Sequence, residues 1–413
     1  QGIWGLNMQN NRFEAFGKIG KVYNDKPWKS FGWQNSYSYH EQNAFMGLNA
    51  YEAEQQTFYS NFIYQSIIGN TNHRIKAGAS FLYDELNEDL SLNRGTLDTS
   101  FYRSEIVPGA YFEHTWSSVP GLSVVSGIRA DYHNIFGLFI TPRLHARYEI
   151  QEGSVARLAV GRGLRTSNIF ADNISILATS REVIINGDNS NNPYGLNQED
   201  AWNTGLSFTQ YFSLAQQDGT LNLDFFYTEF VNQIIVDYDV SPQKVEFSNL
   251  DGRSRSLSFQ IQVDYEIFEN FDIRTAYRWF DVKAPFGGEL QQRPLVSEHR
   301  AFINLAYETH NQWKFDLTWN WQGKRRLPST ESNPEEYQLS DYSPSYSLVN
   351  AQISKRWTDK FEIYSGVENL LDFRQENPIL ASDDPFSEYF DSSIIWGPIF
   401  GRNIYAGVRF WIK

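Results

Sequence analysis

The sequence predicts an all-β fold, a transmembrane antiparallel β-barrel, on three observations. The first is a two-residue alternation. Leu257, Phe259, Ile261, Val263, Tyr265 and Ile267 are apolar, with Ser258, Gln260, Gln262, Asp264 and Glu266 between them. Trp313, Phe315, Leu317, Trp319 and Trp321 alternate likewise with Lys314, Asp316, Thr318 and Asn320. Successive strand side chains point to opposite faces, so each segment has one face for an apolar medium and one for a polar interior. The second observation is aromatic content. The 413 residues hold 24 Tyr, 31 Phe and 12 Trp, which suits aromatic girdles at two membrane interfaces. The third is that connections come in two sizes, and the sizes alternate along the chain.

Taken in order, the strand-like stretches are 2–23, 27–43, 55–68, 72–84, 100–117, 121–135, 138–150, 153–163, 200–215, 219–236, 254–267, 270–283, 296–309, 311–322, 344–357, 359–371 and 401–413. Short connections fall at Asn24-Asp25-Lys26, Gly69-Asn70-Thr71, Ser118-Val119-Pro120-Gly121, Gln151-Glu152-Gly153, Gln217-Asp218-Gly219, Glu269-Asn270, His310-Asn311 and Thr358-Asp359. Their Asn, Asp, Gly and Pro content is tight-turn chemistry. Long connections fall at 44–54, 85–99, 164–199, 237–253, 284–295, 323–343 and 372–400, and the series has one short member around Phe136-Gly137. Short turns on one side and long loops on the other match the periplasmic and extracellular ends of a barrel in a Gram-negative outer membrane.

Composition sets limits on function. The mean hydropathy of -0.49 is no objection, because lumen, turns and loops are all polar. There is no apolar run of about 18 residues, so a spanning helix is excluded. The net charge of -14 argues against nucleic acid as a partner, which would require a basic footprint. Solvated loops account for the acidity. Without cysteine there is no disulfide framework or thiolate metal site, and no cofactor is implied.

Seventeen segments is an odd number, whereas single-chain bacterial barrels carry an even one. The chain opens at Gln1 inside a strand-like stretch, which reads as a processed chain or a piece of a longer polypeptide. An odd number of strands is therefore expected from elsewhere, since an open sheet edge in lipid costs several kcal/mol per unpaired group.

Near the C-terminus, Val367-Glu368-Asn369-Leu370-Leu371-Asp372 precedes a long loop, and Gly401-Arg402-Asn403-Ile404-Tyr405-Ala406-Gly407-Val408-Arg409-Phe410-Trp411-Ile412-Lys413 closes the chain. This resembles the end of the barrel of TonB-dependent outer-membrane receptors of the Bacteroidetes type. In them an Asn-Leu-hydrophobic-Asp stretch precedes the final loop and a Gly-Arg strand finishes the chain. Upstream, Gly161-Arg162-Gly163-Leu164-Arg165-Thr166 leads into a long loop, and Glu199-Asp200-Ala201-Trp202-Asn203 resembles a Pro-Glu-x-x-x-Asn-(Tyr/Trp)-Glu-like region of that family, with Glu199 and Trp202 retained.

The resemblance implies that residues 1–413 are the C-terminal portion of a 22-stranded barrel, about 17 strands of it, without the plug domain and first strands. It implies the wall of a receptor that binds a scarce nutrient of siderophore, cobalamin, metal or glycan type and imports it with TonB energy. The implied partners are the plug and remaining strands, the TonB–ExbB–ExbD system acting through the plug, outer-membrane lipid and lipopolysaccharide, and a surface lipoprotein. The alternative is a passive porin or structural outer-membrane barrel.

Loop 164–199 is the candidate for ligand capture, through Asn168, Asp172 and Asn173 on a short helix at 168–180 and through Asp188 and Asn189 beyond it. The competing account is a lid that packs on its neighbours. The stretch from Asp188 to Asn192 resembles a calcium loop in its oxygen ligands, yet lacks the distal Glu, so a solvated turn is the plainer reading. Two acidic loops, Asp84, Glu85, Glu88 and Asp89, and Asp383, Asp384, Glu388 and Asp391, could hold cations or be solvated surface, and no metal site is assigned. Lys324-Arg325-Arg326 could meet an anionic siderophore, with anchoring to lipid A as the plainer account. The seven histidines have no His-x-x-x-His spacing, although His133 and His145 could approach across strands. With no Gly-x-Ser-x-Gly and only a bare Gly161-x-Gly163, no catalytic site is expected.

Overall fold

The computed structural model describes residues 3–92, 98–358 and 360–412. Residues 93–97 of the expected 85–99 loop, Asp359 of the expected Thr358-Asp359 turn, and the chain ends at Gly2 and Lys413 lie outside the described residues.

The strands are β1 (Leu6–Tyr23), β2 (Lys26–Met46), β3 (Asn49–Ile68), β4 (Asn70–Ser91), β5 (Asp98–Trp116), β6 (Leu122–His133), β7 (Gly137–Gln151), β8 (Ser154–Arg165), β9 (Glu182–Asn186), β10 (Glu199–Leu214), β11 (Gln217–Asn232), β12 (Ile234–Ser241), β13 (Lys244–Asn249), β14 (Ser254–Phe268), β15 (Phe271–Phe286), β16 (Glu289–Gln292), β17 (His299–Glu308), β18 (Trp313–Gln322), β19 (Tyr346–Thr358), β20 (Phe361–Glu368) and β21 (Asn403–Phe410). Of these, β9, β12 and β13 form a small separate sheet, and β16 folds back on the outer end of β15. The other seventeen form one antiparallel meander that becomes the wall, matching the seventeen segments of the alternation. Among the described residues β1 pairs only with β2, and β21 only with β20, so the sheet has two edges.

Residues opposite one another in register share a face, so the faces can be traced across the wall. One row runs Trp116, Val124, Ala146, Leu158, Leu206, Phe225, Phe259, Trp279. The opposite face carries Arg147, Arg157, Ser207, Asp224, Gln260, Arg278, Arg300, Gln322. The first face is the one for hydrocarbon and the second lines the lumen. Gln260, Gln262 and Asp264 sit on the lumen side, as alternation from Leu257 to Ile267 requires.

The wall is uneven in height. Strands β17 and β18 have 10 residues each, but β2 to β5 have 21, 20, 22 and 19. A tilted strand crosses the bilayer in about 9–11 residues, so β2 to β5 project well beyond it. In the projecting part the faces exchange roles. Along β3 the outward Phe62 and Phe58 give way to Glu54 and Glu52, while the inward Thr57 and Gln55 give way to Ala53 and Tyr51. Above the membrane the outside is water and the inside is a packed core. The expected 44–54 loop is therefore strand, closed by a two-residue turn at Gly47-Leu48 with Gly47 at φ 63°, a value glycine adopts without strain. Most of the expected 85–99 loop is likewise strand.

Against that inner face pack Ile169, Phe170, Ile176 and Leu177 of loop 164–199 and Val245 and Phe247 of β13, joined to Tyr51 and Leu90 of the wall. Ile169, Val245 and Phe247 are fully buried. Burying several such side chains at about 1.5–3 kcal/mol each holds a roof over one side of the barrel mouth. The expected helix at 168–180 is a shorter 3-10 helix, Ala171–Ala178, kinked at Asn173.

Candidate functional site

The roof is fastened by polar contacts as well as by its core. Arg181, 4% exposed, donates to the Asp391 carboxylate at 2.7 Å and to the carbonyls of Tyr238, Ser241 and Lys244 at 3.0 to 3.2 Å. One side chain thus ties loop 164–199, the β12–β13 hairpin and loop 372–400 together. Its guanidinium also lies over the Tyr238 ring at 5.2 Å, and burial, reinforced by Asp391, pushes that tyrosine up to about 12. β13 pairs in parallel with β9, adding a backbone seam between two of the loops.

Below the roof, charged groups on the inner face are paired and buried. Glu88 accepts from Tyr51 at 2.6 Å and from Tyr194 of loop 164–199. Burial and the Glu88 carboxylate together raise the Tyr194 hydroxyl. Arg103 bridges Asp84 at 3.3 Å and Glu105 at 2.7 Å, and Glu105 meets His133 at 3.2 Å. Of the acidic group Asp84, Glu85, Glu88 and Asp89, Glu88 is therefore taken up by the wall–roof contact and Asp84 by Arg103, Gln55 and Thr57 of the wall, rather than offered to a ligand. Asp391 of the second acidic group is the partner of Arg181. His133 meets Glu105 instead of His145. The histidine pair the structure does form is His73–His114, at 3.2 Å on the hydrocarbon face, and no cluster of three or more metal-ligating side chains exists among the described residues.

The five expected ligand-contacting residues divide into two groups. Asn168, Asp172 and Asn173 build the short helix. The Asn168 carbonyl accepts the Asp172 amide at 2.8 Å, Asp172 takes Arg165 at 3.0 Å and Ser167 at 3.1 Å, and Asn173 donates to the Ile169 carbonyl at 2.8 Å. Of these five residues, Asn168 alone has a side-chain atom, its oxygen, buried without a hydrogen-bond partner. Asp188 and Asn189 lie apart from them on an exposed turn, where the Asn189 side chain accepts the Asn191 amide at 3.1 Å. The adjoining Asn191, Asn192 and Tyr194 border a cavity of about 360 Å³ shared with Glu88 and Arg103.

On the lower side of the mouth the electrostatics differ. Arg278 and Arg300 are register partners on the lumen face of β15 and β17, and Arg325, just past β18, is a like-charged neighbour of Arg300. Like charges directly opposite in a sheet repel. Other lumen cations are neutralised: Arg129 by Asp131 at 2.5 Å, Arg409 by Glu362 at 3.1 Å, Arg143 by Glu113 and Arg274 by Asp264. No carboxylate pairs with Arg278, Arg300 or Arg325 among the described residues. Arg278 stacks on Phe280 at 3.9 Å, Arg325 reaches the Tyr346 hydroxyl at 3.2 Å, and buried nitrogens of Arg300 and Arg325 lack partners. This fixes three planar donor forks at the mouth, an arrangement suited to a multiply charged anion.

Sequence reasoning missed Arg278 and Arg300, which sit 22 residues apart in unremarkable strands. The available signal was two lumen positions carrying the same charge. It also treated Lys324-Arg325-Arg326 as a unit, which the structure divides. Lys324 is exposed over Tyr342, Arg325 enters the mouth, and Arg326 is held by Asp239 at 2.7 Å and by the Gln292 carbonyl at 2.6 Å.

With this geometry in view, the comparisons with known proteins are specific. The family model described as TonB dependent receptor-like, beta-barrel, matches residues 3–370. The ferric enterobactin receptor PirA of Pseudomonas aeruginosa is 20% identical over 360 residues, which are 76% of this chain and 45% of that protein. The fold is similar to the ferric-catecholate import receptor Fiu from K12 E. coli, with TM-score 0.71 and 12% identity over 98% of this chain and 64% of that one. It is also similar to the copper transporter OprC, with TM-score 0.68 and 13% identity over 97% and 64%. The chain thus spans about half the length of the curated relative. These relatives are transport receptors, not enzymes.

Proposed function

The chain belongs to the TonB-dependent receptor β-barrel family, an outer-membrane family, and from that premise we propose that it forms the wall and mouth of an active importer for an anionic metal complex of siderophore type. The observation that carries this is the arginine trio Arg278, Arg300 and Arg325, held together without a counter-charge at the lumen mouth. A local electrostatic penalty of this kind persists in proteins mainly where function uses it. Ferric catecholates and related chelates are compact, multiply negative and rich in oxygen acceptors, which is what three guanidinium forks recognise. In this reading the roof loops restrict the approach to one side, and Asp188 and Asn189, exposed beside the 360 Å³ cavity, contact the incoming ligand.

The energy source is part of the same proposal. A plug, with the strands that complete the wall at β1 and β21, sits against the lumen face and transmits the pull of TonB. Kinship with receptors of the Bacteroidetes type rests on the Asn369-Leu370-Leu371-Asp372 stretch and the Gly401-Arg402 strand, and belongs to this proposal too.

The test is binding of a ferric tricatecholate and of a neutral ferric chelate to the purified receptor, followed by intrinsic fluorescence. Hydrogen bonds to a charged partner contribute about 1.5–3 kcal/mol, so Arg300→Ala weakens the anionic chelate by about 10- to 100-fold. Equal affinity for both chelates, or an Arg300→Ala variant that binds as the wild type does, would overturn the reading. Steady ion conduction through the receptor in planar bilayers would favour the passive porin instead.

A further inference from the structure

The hydrocarbon face carries a groove at its periplasmic end that the import reading does not use. It has a volume of about 440 Å³ and lies across β17 to β20, where Ala351 and Ser365 leave a trough between Leu317, Phe315, Ile353 and Val367. The register confirms the face: Leu305, Leu317, Ala351 and Val367 form one row, and Tyr307, Phe315, Ile353 and Ser365 the next. Both rows continue the apolar side of the wall, since Leu305 opposes Ile273, which opposes Tyr265. Side chains there meet lipid, so an acyl chain is the occupant the surroundings supply.

A second feature stands at the groove's end. Lys355 lies two residues from Ile353 on the same face, about 7 Å further towards the periplasm at the rise of a β-strand. Its ammonium donates to the Asn311 carbonyl and lies over the Trp313 ring at 5.5 Å. No carboxylate pairs with it among the described residues. Trp313 and Trp357, both exposed on this face, mark the aromatic girdle at that level. An unneutralised lysine in an aromatic girdle, directly below an acyl-sized trough, has the charge and position to hold a lipid phosphate.

We propose that this groove binds an inner-leaflet phospholipid, with an acyl chain between Ala351 and Ser365 and its phosphate on Lys355. Lipid A is excluded as the occupant by depth, because it occupies the opposite leaflet. The site is independent of ligand import and would fix one annular lipid against a low part of the wall, where β17 and β18 have 10 residues each and β20 has 8.

The experiment is native mass spectrometry of the receptor extracted from outer membranes in mild detergent, with folding checked by heat-modifiable gel migration. The wild type retains one phospholipid per receptor. Ala351→Leu and Ser365→Leu, which fill the trough, abolish retention, and Lys355→Ala lowers it about fivefold. Ile140→Leu, on the hydrocarbon face of distant β7, retains the lipid as the wild type does. Retention that is unchanged in the two filled variants, adducts of lipid A rather than phospholipid, or a wild type free of lipid would each overturn the proposal.

Discussion

Replacing Arg181 by alanine is the sharpest probe of how the mouth is built. The wild-type side chain is 4% exposed, pairs with Asp391 at 2.7 Å and satisfies three loop carbonyls. Truncation leaves Asp391 buried with only Ser393 donating to its carboxylate. Removing one partner of a buried ion pair costs about 3–5 kcal/mol. Because the contact joins loops and not wall strands, that cost falls on local opening of the roof, whose equilibrium rises by roughly 10²- to 10³-fold at 1.4 kcal/mol per decade. The readout is amide hydrogen exchange of β9 and β13, whose parallel seam spans Glu182 to Asn186 and Lys244 to Ser248. Exchange there accelerates by about two to three decades, while wall amides such as those of β14 are unchanged. Arg181→Ala combined with Asp391→Ala recovers part of the loss, because no charge is then stranded. An acceleration under about tenfold, or one shared equally by the wall, would refute the reasoning.

Three further outcomes follow from the same structure. Arg278→Ala and Arg325→Ala each weaken binding of the anionic chelate, and Arg300→Lys restores only part of what Arg300→Ala loses, because a lysine is a point charge without a fork; titration at low and high salt measures both. Gly366→Val destabilises the wall by about 1–3 kcal/mol, because a Cβ there would collide with the Tyr405 ring and come within 2.9 Å of the Ala351 carbonyl; the midpoint of the heat-modifiable gel shift reports it. Tyr194→Phe removes one of the two hydroxyls that satisfy Glu88 and costs about 1–3 kcal/mol of roof stability, seen as faster proteolysis of loop 164–199 with the wall intact.

The wall strands were legible in the sequence wherever one face meets hydrocarbon and the other meets the lumen, as in β14 and β18. Where the strands leave the membrane the same alternation continues with its polarity reversed, and the signal cancels. Around 44–54 an outward Glu52 and Glu54 and an inward Ala53 and Tyr51 read as loop, although the backbone is continuous strand. Loop 164–199 stood out by length, but its Asn168, Asp172 and Asn173 serve the loop's own turns, which no spacing rule distinguishes from ligand contacts. The arginine trio was illegible for a different reason. Its members come from three separate segments, and only the register that places Arg278 opposite Arg300 brings their charges together.

The reversal of the faces is the most direct test of the account. Single spin labels placed at each position from Tyr51 to Tyr64 of β3 report access to oxygen, which dissolves in lipid, and to a water-soluble nickel chelate. The account predicts high oxygen access at Phe58 and Phe62, chelate access at Glu52 and Glu54 on the same face, and protection from both at Tyr51 and Ala53 beneath the roof. Lipid exposure continuing through Glu54 and Glu52, or free chelate access at Tyr51, would contradict it.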